Sequence, residues 1–111
     1  MTKYNKLVRD KIPEMCLSTG DIPVMRHLQD DDAYLQALTN KLGEEAAEVK
    51  ETPTIEELAD VVEVVHAICK AIGCSPEDVE QARLQKREER GGFEDRVFLV
   101  RTVSVDTTSR L

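Results

Sequence analysis

Residues 41 to 65, KLGEEAAEVKETPTIEELADVVEVV, carry two helix-period segments broken once, by Thr52, Pro53 and Thr54. Proline inside a helical pattern lacks a backbone donor and disfavours the helical region for the residue before it, so the first segment must stop there. The same tripeptide supplies the next start, because Thr54 suits an N-cap and Glu57 three positions later completes a capping-box pattern. A connection this short leaves the helices to fold back as an antiparallel hairpin. The spacing predicts a first long helix from about Asp31 to about Glu51 and a second from Thr54 to Gly73.

Two shorter elements flank the hairpin. KIPEMCLSTG predicts a helix begun near Pro13 and stopped by Gly20, and DIPVMRHL an irregular connector. In CSPEDVE, Ser75 suits the N-cap and Pro76 the first helical position, so a third long element should run to about Arg90 and end at Gly91 and Gly92. FEDRVFLVRTVSV then turns β-branched and apolar, which predicts a short C-terminal strand or extended arm. The expected class is all-α, one helical domain over residues 1–103 with a flexible tail over 104–111.

The chain has 15 Lys and Arg against 22 Asp and Glu, a net charge of -7, which repels nucleic acid polymers and anionic membranes. An anionic ligand would therefore need a local basic cluster or a bound cation. Cys16, Cys69 and Cys74 lack CxxC spacing and predict neither a disulfide framework nor a zinc site, as suits a reducing cytoplasm. No apolar run approaches the roughly 20 residues of a membrane span, and no secretion signal is seen. With no Trp and only two Tyr and two Phe, the chain offers little for base stacking.

At about 100° per residue, Leu35, Leu38, Leu42, Ala46 and Val49 form one stripe on the first long helix, with Glu45 about 55° from its centre, Glu48 about 115° and Glu44 about 155°. On the second, Ile55, Leu58, Val61, Val62, Val64, Val65, Ile68, Cys69 and Ile72 sweep more than roughly 200°, too wide for one neighbour. Glu57 falls inside that arc and Asp60 at its edge, whereas Glu56 and Glu63 point away. An ionised carboxylate on an apolar face is costly unless paired or metal-bound. Glu45 with Glu48 and Glu57 with Asp60 each have i,i+3 spacing, so four acids from two antiparallel helices can offer oxygens to one hard cation. Ligands of oxygen alone favour magnesium, or manganese, over zinc. The plainer reading, a solvated acidic face, suits Glu44, Glu51, Glu56 and Glu63.

EEAAEV followed by EELAD resembles the ExxE...ExxD pattern of the all-α nucleoside triphosphate pyrophosphohydrolases, the superfamily of MazG, the phosphoribosyl-ATP pyrophosphohydrolases and the dimeric dUTPases. YNKLVRDKIPEM and KREERGGFEDRVFL resemble the flanks of a MazG-like house-cleaning subgroup. The resemblance implies a four-helix bundle completed when a homodimer or higher homo-oligomer forms. It implies magnesium held by Glu45, Glu48, Glu57 and Asp60, with Glu44 a supporting acid. The implied reaction splits a nucleoside triphosphate between the α and β phosphorus atoms, giving a monophosphate and pyrophosphate, and Glu45 is the acid expected to orient the attacking water.

Such a substrate needs cations. One basic cluster is KYNKLVRDK, with Lys6 and Arg9; another is RLQKREER, where Arg83, Lys86, Arg87 and Arg90 recur at helical spacing. Lys6, Arg9, Lys86 and Arg90 are the candidate phosphate contacts, although basic residues at a helix C-terminus also complement its dipole. His66 is expected to be a core or interface residue and Cys69 a small core residue. A di-iron bundle would want Glu-x-x-His pairs, which neither Glu48 nor Glu57 begins. The competing class is a non-enzymatic helical interaction module whose acids are solvated or paired with a partner's Lys and Arg.

Overall fold

Three of the four described helices start at short polar side chains that satisfy free N–H groups, whereas the first starts after Lys11 without a side-chain cap. The Asp30 carboxylate accepts from the Ala33 N–H at 2.8 Å and opens α2 (Asp31–Glu51). The Thr54 hydroxyl accepts from the Glu57 N–H at 3.3 Å and opens α3 (Ile55–Ile72), numbered after a first helix, α1 (Ile12–Ser18). Ser75 and Asp78 cap each other reciprocally, Asp78 N–H to Ser75 Oγ at 3.1 Å and Ser75 N–H to Asp78 Oδ2 at 2.9 Å, to open α4 (Pro76–Arg90). The structure is a computed structural model that describes residues 1–105.

α1 and α3 end at glycines, whereas α2 ends at Thr52, before Pro53. Gly20 and Gly73 take φ of 94° and 84°, the left-handed conformation that closes α1 and α3 and that a side chain would strain. The chain divides into two units, Met1–Glu80 and the residues from Gln81 on, and α4 begins in the first and ends in the second.

Within the first unit α2 and α3 are the helices that pack together, joined by Thr52, Pro53 and Thr54 as an antiparallel hairpin. Their seam contains Leu38 and Val64, 3% and 8% exposed, and between them one acid, Glu45, 9% exposed. The face that α2 buries is centred nearer Leu38 than the five-residue stripe suggests. From Leu38, Glu45 lies about 20° round the helix and Ala46 about 80°, which is why Glu45 is buried and Ala46 exposed. On α3, Ile55, Leu58 and Val62 stay exposed on the far side from Val64. The wide apolar arc is thus half covered within the chain.

The C-terminal segment, expected as a short strand or an extended arm, forms no strand among the described residues: residues 97–105 are irregular with Phe98, Leu99 and Val100 exposed. Strand propensity alone does not make a strand, because its backbone groups need a ladder partner. His66, expected in the core or at an interface, is exposed in this chain, so the core is not its place. The expected tail lies, from residue 106 on, outside the described residues. No helix among those described is long and apolar enough to cross a membrane.

Because so few side chains are fully buried, each carries a large share of the hairpin's packing. Leu38→Ala should cost about 2–5 kcal/mol in urea unfolding, and Thr54→Ala, which removes the cap of α3, about 1 kcal/mol.

Candidate metal centre

The hairpin brings three carboxylates together. Glu45 on α2 and Glu57 and Asp60 on α3 each offer one oxygen, and the three lie within 4.8 Å of one another. Glu57 is free to join because its capping box is only half made. Its N–H uses the Thr54 hydroxyl, but the Thr54 N–H donates to the Thr52 carbonyl at 2.9 Å, leaving the Glu57 carboxylate to face the seam. Measured from Val64, Glu57 and Asp60 fall about 20° and 40° to either side, so both border the buried line of α3.

Cations surround this group from two directions. On α2, Lys41 places its Nζ 3.3 Å from a Glu45 oxygen and 3.4 Å from a Glu44 oxygen. From the segment before α1, Lys6 donates to Glu44 at 2.8 Å and Arg9 to Asp60 at 2.6 Å. Asn5, at the turn into that segment, has φ of 45°, a left-handed conformation Asn tolerates. A cavity of about 440 Å³ lies between this segment and the hairpin, with Arg9, Lys41, Glu45 and Asp60 on its wall beside apolar Leu38 and Val64. A smaller cleft of about 120 Å³ adjoins Lys6 and Glu44.

The crowding of acids shows in their proton affinities. Partial burial, and then the charges of Glu48, Asp60, Glu45 and Glu56, hold the Glu57 carboxyl above the ordinary glutamate value. Glu44 moves the other way, because the hydrogen bond from Lys6 favours its ionised form, and the same bond raises Lys6. Lys6 therefore stabilises the acid at the rim, while Glu57, with no cation paired to it among the described residues, bears the repulsion.

Of the four acids expected as ligands, Glu48 alone stays outside the close group; it is exposed, yet its charge is felt at Glu57. Burial also ranks them differently from the helical wheel, since Glu45 rather than Glu57 is the deepest. Lys6 and Arg9 reach the acids. Lys86 and Arg90 are exposed on α4 in the second unit, where Arg87 pairs with Glu94 at 2.6 Å. The residue that sequence reading passed over is Lys41. Its signal was available, since it sits three and four positions before Glu44 and Glu45, the spacing of helical ion pairs.

No family model matches the chain, and no solved structure matches it. An uncharacterized protein of Mycolicibacterium smegmatis is 49% identical over 49 residues, 44% of this chain and 49% of that protein. The match thus spans about half the relative's length.

A carboxyl whose proton affinity is higher folded than unfolded stabilises the fold at pH below its unfolded value and loses that contribution as pH rises through its folded value. Glu57→Gln, which cannot ionise, should therefore raise the thermal midpoint at neutral pH in metal-free buffer. The gain should shrink as pH falls through the raised folded value of Glu57 and be gone by about 4.5, the ordinary glutamate value, in melts followed by circular dichroism.

Proposed function

We propose that this protein is a magnesium-dependent nucleoside triphosphate pyrophosphohydrolase of the MazG-like all-α superfamily. It cleaves between the α and β phosphorus atoms, releasing a nucleoside monophosphate and pyrophosphate, with noncanonical nucleotides among its substrates. One observation carries the reading: oxygens of Glu45, Glu57 and Asp60 meet within 4.8 Å beside a cavity that also holds Arg9.

The donor set suits a hard divalent ion. All its atoms are carboxylate oxygens, as magnesium and manganese prefer. Counted at full ionisation, Glu44, Glu45, Glu48, Glu57 and Asp60, with Glu56 also acting on Glu57, outnumber the positive charges of Lys6, Arg9 and Lys41, and a divalent ion would offset part of that excess. Glu45, Glu57 and Asp60 would hold it, with Glu48 the nearest further acid. A bound ion neutralises phosphate oxygens and lowers the pKa of a coordinated water.

The chain's own groups have separate parts in this scheme. Glu45, buried and steadied by Lys41, is placed to orient a water for in-line attack. Glu44 positions Lys6 and Lys41 rather than touching substrate. Lys6 and Arg9 bind phosphate, Arg9 through its planar fork, and each is held near the cavity by a carboxylate until then. Lys86 and Arg90 form the second basic cluster proposed for phosphate, and their replacement is a test of its own.

Oligomerisation belongs to the same reading. Ile55, Leu58 and Val62 line the face of α3 opposite Val64, 83%, 52% and 50% exposed, and a second α2–α3 hairpin laid on that face would complete a four-helix bundle. Light scattering should give a dimer or larger species, and Val62→Glu should shift it toward monomer. A wild-type chain that stays monomeric at micromolar concentration would refute the bundle.

Activity is tested by pyrophosphate release from a panel of triphosphates with magnesium. Release is expected, falling by about a hundredfold or more in Asp60→Asn and Glu57→Gln, which remove ligands, and less in Arg9→Ala. If no triphosphate yields pyrophosphate and magnesium does not raise the thermal midpoint, the acids serve an interaction surface instead.

A further inference from the structure

The same backbone motif closes α1 and α3, with different side chains at its two ends. In α1 the Asp21 N–H returns to the Cys16 carbonyl at 2.9 Å and the Gly20 N–H to Leu17 at 3.1 Å. In α3 the Cys74 N–H returns to the Cys69 carbonyl at 2.9 Å and the Gly73 N–H to Lys70 at 3.3 Å. This paired pattern around a left-handed glycine sets the side chains of the first and last residues against each other. In α1 it opposes a cysteine to an aspartate. In α3 it opposes two free cysteines, Cys69 and Cys74.

The two thiols differ in access. Cys69 is 2% exposed in the core, while Cys74 is only half-buried at the turn. The backbone return of Cys74 to Cys69 brings the two residues side by side, and burial together with the neighbouring Cys69 thiol pushes the Cys74 thiol up from its ordinary value. The motif brings the first and last residues onto one side of the turn, the approach on which a bridge between two cysteines depends.

We propose that Cys69 and Cys74 form a reversible dithiol–disulfide site at the turn between α3 and α4, oxidised by a low-molecular-weight disulfide. The Cys74 thiolate attacks one sulfur of the oxidant, its S–S bond breaks, one thiolate leaves, and a mixed disulfide stands on Cys74. The deprotonated Cys69 sulfur then attacks the Cys74 sulfur and expels the second thiolate. Two protein thiols lose two electrons and two protons, and one oxidant disulfide becomes two thiols. Because Cys74 is little ionised at neutral pH, the first step is slow there and quickens about tenfold per pH unit below the thiol's pKa. The product fixes the left-handed turn at Gly73 and the entry to α4.

Oxidised glutathione and the full-length protein test this by intact mass under non-reducing conditions. Wild type and Cys16→Ser are both expected to end two hydrogens lighter at the Cys69–Cys74 peptide, reversibly with reductant. Cys69→Ala should instead stop with glutathione on Cys74. Glutathione retained on Cys74 of the wild-type chain, no reaction at Cys74 at all, or a bridge that needs Cys16 would each overturn the proposal. The two decisive samples leave the core cysteine intact, so the outcome does not depend on whether Cys69→Ala folds.

Discussion

Repulsion among carboxylates is the constraint around which the hairpin is built. Packing α2 on α3 buries Leu38 and Val64, and the same registry forces Glu45 into the seam opposite Glu57 and Asp60. An acid at the edge of an apolar line is unfavourable by itself, and three together more so. The chain offsets this with Lys41 from within α2 and with Lys6 and Arg9 from the segment that precedes α1. That segment has no regular structure to hold it, so its ion pairs with the hairpin also fix its place. Tertiary structure and site therefore share the same contacts: loss of the acids frees the N-terminal segment, and loss of its cations leaves the acids to repel.

Such a balance leaves Glu57 with no paired cation among the described residues. Glu44 has two lysines, Glu45 has Lys41 and Asp60 has Arg9, whereas burial and four neighbouring acids raise Glu57. In the proposed function this is the position a divalent ion would relieve most. With such an ion bound, Lys6, Arg9 and Lys41 would be free to pair with phosphate instead of carboxylate. The energetic logic is that of a site held together by charge it only partly cancels.

Much of this was legible in the residues. Thr54, Ser75 and the glycines at 20, 73 and 91 mark helix ends because caps and left-handed turns are local chemistry. The pairing of Glu45 with Glu57 and Asp60 was visible because two helices joined by three residues can only fold back. What stayed hidden was rotation. A wheel averaged over five apolar residues centres α2 on the wrong side of Leu38, and so ranks Glu57 above Glu45 in burial and shows Ala46 as core. The reach of Arg9 to Asp60, 51 positions away, and the meeting of Cys69 with Cys74 depend on chain paths that periodicity does not record. The segment after residue 93, expected as a strand or an extended arm, is irregular for another reason, since propensity cannot supply a pairing partner.

The central claim is that the α2–α3 seam holds a divalent cation through Glu45, Glu57 and Asp60. Manganese titration followed by water-proton relaxation reads that site directly, without substrate or turnover. The account predicts saturable binding in wild type, loss of at least tenfold in affinity in Asp60→Asn and in Glu57→Gln, and little change in Glu63→Gln. Equal binding in all four proteins, or none in wild type, would contradict it.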